Sequence, residues 1–197
     1  MKTIGLTGGV GMGKSAAAGF FLRHGARVVD TDELARQLVR PGQPALAEIQ
    51  KTFGPEMLAA DGTLNRAELA RLVFADEAAR KRLEAILHPP IREAWLAQVA
   101  AWRQESCPPA AIAIVAIPLL FETAAENFFE KIVCVACSPA AQHDRLVARG
   151  WSPEHIRRRI AAQLPVAEKI ARADFVVWTE GDLAAHAEQV ARIVARL

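Results

Sequence analysis

A glycine-rich stretch near the amino terminus constrains this chain more than any other feature of its sequence. Residues 5–20 read GLTGGVGMGKSAAAGF and place five glycines within nine positions, directly before a lysine and a serine. Residues 8–15 satisfy the pattern G-x-x-x-x-G-K-[ST], and they lie between an apolar run and an alanine-rich run. Glycine is costly to order, so this density of glycines predicts a loop conformation that side chains would obstruct. We therefore expect a strand, a phosphate-binding loop and a helix in succession.

The residue types in this loop fit the binding of a nucleotide's phosphate chain. Glycines allow successive backbone N–H groups to point inward, and the amino end of the following helix adds positive potential. Lys14 can reach the β- and γ-phosphates, and the Ser15 hydroxyl can bind Mg²⁺. A glycine-rich turn without a ligand is the alternative. The expected nucleotide-binding residues of the loop are Gly8, Gly9, Val10, Gly11, Met12, Gly13, Lys14, Ser15 and Ala16.

Five short apolar runs predict the strands of one parallel sheet. They are continuous rather than alternating in polarity, as strands are when both faces of a sheet are covered. Helical patterns rich in alanine, arginine and leucine separate them, which predicts an α/β fold with helices on both faces. The runs are residues 2–7, 26–30, 111–118, 131–137 and 174–178.

The interval between the second and third predicted strands is too long for one crossover. Residues 31–109 carry helical patterns, which predict a helical insertion. Residues 1–30 and 110–197 are then the nucleotide-binding core, in which helical segments at about 139–165 form a lid. Within the insertion, proline and glycine predict breaks in the helices at residues 41–42, 54–55, 61–62 and 88–90.

Composition and charge disfavour several classes of protein. The formal net charge is only +2, so the overall charge does not favour nucleic acid as a partner. No stretch approaches the roughly 18 apolar residues of a membrane span, and the amino terminus lacks the pattern of a signal peptide. Cys134 and Cys137 form a C-x-x-C, but their apolar, strand-like run favours a buried structural role over redox chemistry. We therefore expect a cytoplasmic protein.

The end of the second predicted strand carries two carboxylates. Asp30 and Asp32 lie at the strand edge where open α/β sheets bind ligands. On an extended segment, residues two apart point the same way, so the pair could help hold Mg²⁺ or accept a proton from an attacking hydroxyl. Capping of the next helix by Asp30 or Thr31 is the alternative. The sequence contains neither the guanine-binding N-K-x-D nor the D-x-x-G switch, which disfavours a GTPase.

Further motifs follow in order, and with them the chain resembles the dephospho-CoA kinase family over nearly its whole length. The segments that carry the resemblance are LTGGVGMGKS, VVDTDELAR, DGTLNRAELARLVF, LEAILHPPI, IPLLFE, SPAAQHDRLVARG and ADFVVWTEG. The resemblance implies a P-loop kinase fold with a helical substrate-binding insertion and a helical lid. It also implies that ATP, with Mg²⁺, phosphorylates the ribose 3′-hydroxyl of dephospho-CoA to give coenzyme A and ADP, the last step of coenzyme A biosynthesis.

The resemblance also implies roles for individual residues. Asp32 is similar to the family's aspartate that contacts and deprotonates the ribose hydroxyl, and Lys14 and Arg145 are the other expected catalytic residues. Arg145 and Arg149 match lid arginines that reach the ATP phosphates. For the His88 position, a turn that ends a helix is the alternative. The acceptor-binding positions implied by the resemblance are Asp30, Asp32, Arg36, Arg66, His88, Leu119 and Glu122.

Two positions depart from the family's pattern. Ala16 replaces a hydroxyl residue after Ser15, which should matter little because Ser15 remains to bind the metal. Residues 178–181 read WTEG where an asparagine–glycine end is common, so the groups that bind the adenine are left open.

Two alternatives to the phosphorylation of dephospho-CoA stay open. The first is another small-molecule or nucleoside-monophosphate kinase, which the D-x-D-x-x-x-R pattern of residues 30–36 and the insertion disfavour. The second is a regulatory ATP-binding protein without transfer chemistry. The expected partners are the small molecules ATP and dephospho-CoA, without nucleic acid or membrane, and we expect a monomer with at most weak self-association.

Overall fold

The structure is a computed structural model that describes residues 1–105 and 111–197. Its five strands form one parallel sheet in the order β2-β3-β1-β4-β5, so the glycine-rich loop follows the central strand. The register pairs Leu6 with Ala116 on one side of β1 and Gly8 with Val135 on the other. The strands are β1 (Lys2–Gly8), β2 (Arg27–Asp30), β3 (Ile112–Ala116), β4 (Lys131–Ala136) and β5 (Phe175–Trp178).

Helices connect the strands and make up most of the predicted insertion. Two short 3₁₀ turns, Pro55–Met57 and Glu126–Phe128, accompany them. The α-helices of the described residues are α1 (Lys14–Arg23), α2 (Thr31–Leu38), α3 (Pro44–Phe53), α4 (Arg66–Ala75), α5 (Glu77–Gln104), α6 (Pro139–Ala148), α7 (Pro153–Ala161), α8 (Val166–Arg172) and α9 (Leu183–Val194).

The chain divides into two compact units. The first contains Met1–Asp30 and Val99–Leu197, and the second contains Thr31–Gln98. The predicted insertion ends at residue 109, and its last part, residues 106–109, lies outside the described residues. The functional roles expected for the two parts stay predictions.

The core of the first unit lies against one face of the sheet. Side chains of β1, β3, β4 and β5 pack there with those of α1 and α9, which include Phe21 and Val190, both fully buried. The strands are apolar on both faces because helices cover both. The second unit has its own smaller core, formed around Val39, Ile49, Met57 and Leu69.

The predicted helix break at residues 88–90 is wrong. Pro89 and Pro90 lie inside α5, which continues through them from Glu77 to Gln104. A proline removes one backbone donor and normally kinks or breaks a helix, so the sequence signal was a reasonable one. Two missing N–H groups in so long a helix leave its flanking turns bonded, and buried Ala79 and Trp95 anchor α5 on either side of the prolines. His88 is therefore a helical residue.

The two cysteines of the C-x-x-C are free and buried. Cys134 lies in β4 and Cys137 directly after it, and neither side chain is more than 1% exposed. Burial raises the pKa of Cys134 to about 11, although the charge of Lys169 acts in the opposite direction. Both thiols therefore favour the neutral form, as a structural role requires. None of the helices in the described residues has the length and apolar content to span a membrane.

Candidate nucleotide site

The glycine-rich loop connects β1 to α1 at the carboxyl edge of the sheet. Gly8, the last residue of β1, has φ +151°, and a Cβ at this position would lie 2.3 Å from the carbonyl oxygen of Val135. A backbone atom cannot move aside as the end of a flexible side chain can. The close pairing of β1 with β4 therefore requires glycine at the start of the loop.

The amino end of α1 is arranged to bind an anion. Gly13 precedes the helix in a left-handed conformation with φ +93°, and the first bond of the ladder runs from the N–H of Ala17 to the carbonyl of Gly13 (3.1 Å). Among the described residues no side chain caps the helix there, and its first turn carries no acidic residue. The first N–H groups of a helix have no intrahelical acceptor, and the helix dipole adds positive potential. These are the features that bind phosphate.

Side chains from later in the chain hold the loop on both sides. The Val10 N–H donates to Gln163 Oε1 (2.9 Å), while Gln142 Nε2 donates to the Val10 carbonyl (2.7 Å). Thr179 Oγ1 donates to the carbonyl of Met12 (2.9 Å). The conformation of the loop therefore depends on three segments that are more than a hundred residues away in sequence.

The two arginines expected to reach ATP, Arg145 in α6 and Arg149 at its carboxyl end, differ in their surroundings. Arg145 is half-buried, and its guanidinium donates to Thr179 Oγ1 (2.8 Å) and to the Thr179 carbonyl. Because Thr179 also contacts Met12, this arginine is linked to the loop through one residue. Arg149 is exposed at the carboxyl end of the same helix. A contact of either guanidinium with ATP stays a prediction.

The segment that departs from the family's pattern is fixed to α6. Glu180 accepts hydrogen bonds from the Ser138 hydroxyl (2.6 Å) and N–H (3.1 Å). These bonds from Ser138 lower the pKa of the Glu180 carboxyl. Ser138 in turn caps α6, since its hydroxyl accepts the N–H of Ala141 (3.2 Å). The WTEG sequence thus attaches the loop after β5 to α6 by Glu180 and to the glycine-rich loop by Thr179.

The segment after β3 contains two of the expected acceptor-binding residues. The Leu119 carbonyl accepts from the N–H (3.0 Å) and hydroxyl (2.8 Å) of Thr123, which closes a turn. Glu122 forms an ion pair with Lys169 (2.8 Å) and accepts the N–H of Leu164 (2.7 Å). Contact of either residue with the acceptor stays a prediction.

Asp30 and Asp32 do not share an extended segment, so the strand conformation expected for the pair is wrong. β2 ends at Asp30 and α2 begins at Thr31, which places Asp32 in the first turn of a helix. The chain passes directly from strand to helix, so the two-residue period of a strand ends at Asp30. Asp32 is exposed, and a carboxylate in the first helical turn interacts favourably with the helix dipole.

The second unit carries the remaining expected acceptor-binding residues. Arg36 pairs with Glu33 across one turn of α2 (3.0 Å) and is exposed. Arg66 is the exposed first residue of α4, directly after the cap. His88 is half-buried in α5, and burial is the main cause that lowers its pKa. At neutral pH the His88 ring therefore favours the uncharged form.

The contacts that hold the loop could not be identified from the sequence. Gln142, Lys169 and Thr179 are polar but at least 95% buried, and each bonds to a distant part of the first unit. The sequence offered one signal for Gln142 and Lys169, which are polar residues at otherwise apolar positions of α6 and α8. Such residues must find hydrogen-bond partners when they are buried. Which partners they find depends on the folded chain.

A glycine-rich loop with the pattern G-x-x-x-x-G-K-S, at the carboxyl end of the central strand of a parallel sheet in the order 2-3-1-4-5, defines the P-loop kinase fold. A solved structure with this fold, TT1252 from Thermus thermophilus, has a TM-score of 0.85 and 33% identity, and the match covers 99% of this chain and 96% of that one. The dephospho-CoA kinase family model matches residues 2–185. The chain belongs to the dephospho-CoA kinase family.

Two further relatives carry the family's name. The dephospho-CoA kinase of Anaeromyxobacter dehalogenans is 46% identical over 198 residues, which cover 100% of this chain and 92% of the relative. The structure of the dephospho-CoA kinase from Campylobacter jejuni has a TM-score of 0.70, covers 98% of this chain and 96% of its own, and at 24% identity supports the fold. The function is that of the family, ATP-dependent phosphorylation of dephospho-CoA in the final step of coenzyme A biosynthesis.

Proposed function

We propose that the glycine-rich loop binds the ATP phosphates and that Asp32 accepts the proton of the ribose 3′-hydroxyl. A bond forms between the hydroxyl oxygen and the γ-phosphorus, and the bond to the β–γ bridging oxygen breaks, so ADP leaves. The observation that supports this proposal most directly is the amino end of α1, without a side-chain cap or an acidic residue in its first turn. Lys14 and Arg145 balance the charge of the transferring group.

The acceptor has its own set of residues in this proposal. Asp30 lies at the carboxyl end of β2, and Leu119 follows β3, both at the edge where parallel sheets bind ligands. Guanidinium groups bind phosphate well, so Arg36 and Arg66 bind the phosphates of dephospho-CoA. His88, which favours its uncharged form, contributes a neutral hydrogen-bonding group.

The residues of the loop also fit Mg²⁺. Ser15 is exposed in the first turn of α1, where its hydroxyl can bind the ion. The described residues contain no cluster of three or more histidine, cysteine or acidic side chains that could hold a metal. A single protein hydroxyl suits Mg²⁺, because this ion keeps several waters and binds substrate phosphates rather than an all-protein cage. Held by the Ser15 hydroxyl, the ion would supply positive charge that offsets the negative charge of the ATP phosphates.

The experiment that tests the function is a direct assay of transfer. The chain is incubated with ATP, Mg²⁺ and dephospho-CoA, and the product is examined by mass for one added phosphate. Asp32→Asn should lower kcat by about 100-fold or more, the range of a lost general base. Glu48→Gln, the matched change at an exposed carboxylate of α3, should leave kcat unchanged. Near-wild-type kcat in Asp32→Asn would reject its role as the proton acceptor.

We also propose the setting in which the enzyme works. Its partners are small molecules, it acts as a monomer in the cytoplasm, and it does not bind nucleic acid. The net charge of +2 and the free thiols of Cys134 and Cys137 support this proposal. Light scattering at increasing protein concentration, with and without ATP, tests the oligomeric state, and a stable dimer would contradict it.

A further inference from the structure

One face of α8 packs against the glycine-rich loop. Val166 and Ile170 pack around Met12 of the loop in a small apolar cluster. Lys169 lies three positions after Val166, and a helix brings residues three apart to the same face. Its side chain is 0% exposed, so a charged group is enclosed where the pattern of the helix calls for an apolar one.

The ammonium of Lys169 joins the loop to the segment after β3. Nζ lies 2.8 Å from Glu122 Oε1 and donates to the carbonyl of Pro118 (2.8 Å). The same carbonyl accepts the hydroxyl of Thr7 (3.2 Å), and Thr7 directly precedes the first glycine of the loop. Lys169 is thus two hydrogen bonds away from the start of the loop.

The second branch of this network reaches the middle of the loop. Glu122 Oε1, which pairs with Lys169, also accepts the N–H of Leu164 (2.7 Å). The preceding residue, Gln163, accepts the Val10 N–H through Oε1 (2.9 Å). Only 19% of the Glu122 side chain is exposed, although the residue as a whole and its bond to Leu164 are in contact with water. An unbroken series of contacts therefore leads from Lys169 through Glu122 and the Gln163–Leu164 peptide to Val10.

A buried ion pair needs a reason other than stability. The loss of hydration of two charges offsets most of their attraction, and an apolar pair of similar volume is often as stable. What a charged pair adds is a fixed geometry, because each oxygen and proton requires a partner at a defined distance.

We propose that Lys169 is a positioning residue for ATP binding: through Glu122 it fixes Gln163–Leu164, which holds the Val10 peptide in the conformation that receives the phosphates. This inference rests on the assignment of residues 8–15 as the ATP site. It gives Glu122 a role within the protein rather than at the acceptor.

The first test compares two matched Lys→Met variants. Lys131 also pairs with a carboxylate, Asp174 (2.7 Å), which likewise accepts a backbone N–H, that of Ile132 (2.8 Å). This pair lies at the amino end of β4, the opposite end of the sheet from the loop. Lys169→Met should raise the Kd and the KM for ATP by about tenfold and leave the KM for dephospho-CoA unchanged. Lys131→Met should change none of these constants.

The second test uses the last contact of the network. Gln163→Leu removes the acceptor of the Val10 N–H without burying an unpaired charge. It should weaken ATP binding by a factor similar to that of Lys169→Met, and the double variant should bind ATP no more weakly than either single one, because both changes break the same connection. If Lys169→Met does not fold, Gln163→Leu alone tests whether ATP binding depends on the contact between residue 163 and the Val10 N–H.

Circular dichroism and urea unfolding establish which variants are folded at the assay temperature. The inference is overturned if folded Lys169→Met binds ATP within twofold of Lys131→Met. It is also overturned if Gln163→Leu binds ATP as the wild type does, or if the two effects are additive. A wild-type chain that fails to bind ATP would reject the ATP site and this inference together, whereas normal ATP binding by the variants rejects the inference alone.

Discussion

Replacing Gly8 by alanine adds a single methyl group at the point where the phosphate-binding loop leaves the sheet. The new Cβ would lie 2.3 Å from the Val135 carbonyl oxygen and 3.2 Å from both the carbonyl carbon and the Cβ of that residue. Because Gly8 and Val135 are register partners in β1 and β4, the contact can be relieved only by separating the strands or by moving the loop. The substitution therefore affects stability and ATP binding together.

The expected loss of stability has two parts. A non-glycine residue at φ +151° carries backbone strain of about 1 to 3 kcal/mol. Overpacking against a fixed backbone atom adds about 1 to 3 kcal/mol more. The free energy of unfolding of Gly8→Ala should thus fall by about 2 to 6 kcal/mol, a large part of the roughly 5 to 15 kcal/mol that stabilises a typical domain.

Urea unfolding measures this loss, and Gly150→Ala is the matched control. Gly150 also has a positive φ of +79°, but a Cβ there would meet nothing within 4 Å, so its substitution carries only the conformational part, about 1 to 2 kcal/mol. ATP titration of both folded variants should show weaker binding in Gly8→Ala alone. Equal losses of stability in the two variants would refute the argument that close contact with β4 requires glycine at this position.

Three further predictions concern residues that fix the loop and the sheet. Thr179→Val removes a hydroxyl that contacts both Met12 and Arg145, and should lower the free energy of unfolding by about 1 to 3 kcal/mol in urea titrations, whereas no change would contradict its bridging role. Burial raises the pKa of Cys134 to about 11, so iodoacetamide at about pH 8 should label it only after unfolding, as judged by peptide mass mapping; rapid labelling of the native chain would contradict its burial. Burial alone would raise the pKa of Asp174, but hydrogen bonds from a lysine and a backbone N–H hold it below the usual value. Its stabilising effect should be complete above about pH 4 and lost as the pH falls through the lower folded-state pKa, so urea unfolding should show a steeper loss in acid for the wild type than for Asp174→Asn.

Features encoded in neighbouring residues could be predicted from the sequence. The five strands and the loop at residues 8–15 follow from short-range rules of periodicity and backbone freedom. The kinase family followed from motifs whose order extends along the chain. The strands and the loop could be predicted because each depends on residues close in sequence, and the family because each of its motifs is itself a short segment.

Local rules failed at two places where the surrounding structure outweighed them. Pro89 and Pro90 give a strong signal for a helix end, yet α5 continues because its other turns keep their bonds. Asp30 and Asp32 look like neighbours on one strand, yet a helix begins between them. In each case the residues have the local preference that the sequence indicates, but the surrounding chain adopts a different conformation from the predicted one.

The sequence by itself determined that this chain has a parallel sheet and a loop of the P-loop pattern, because apolar runs and glycine spacing act within a few residues of one another. Only the tertiary structure decided how that loop is held. Val10 and Gln163 are 153 positions apart, and Met12 and Thr179 are 167 apart. No periodicity links such positions, since a buried polar group selects its partner from whatever the folded chain brings within hydrogen-bonding distance.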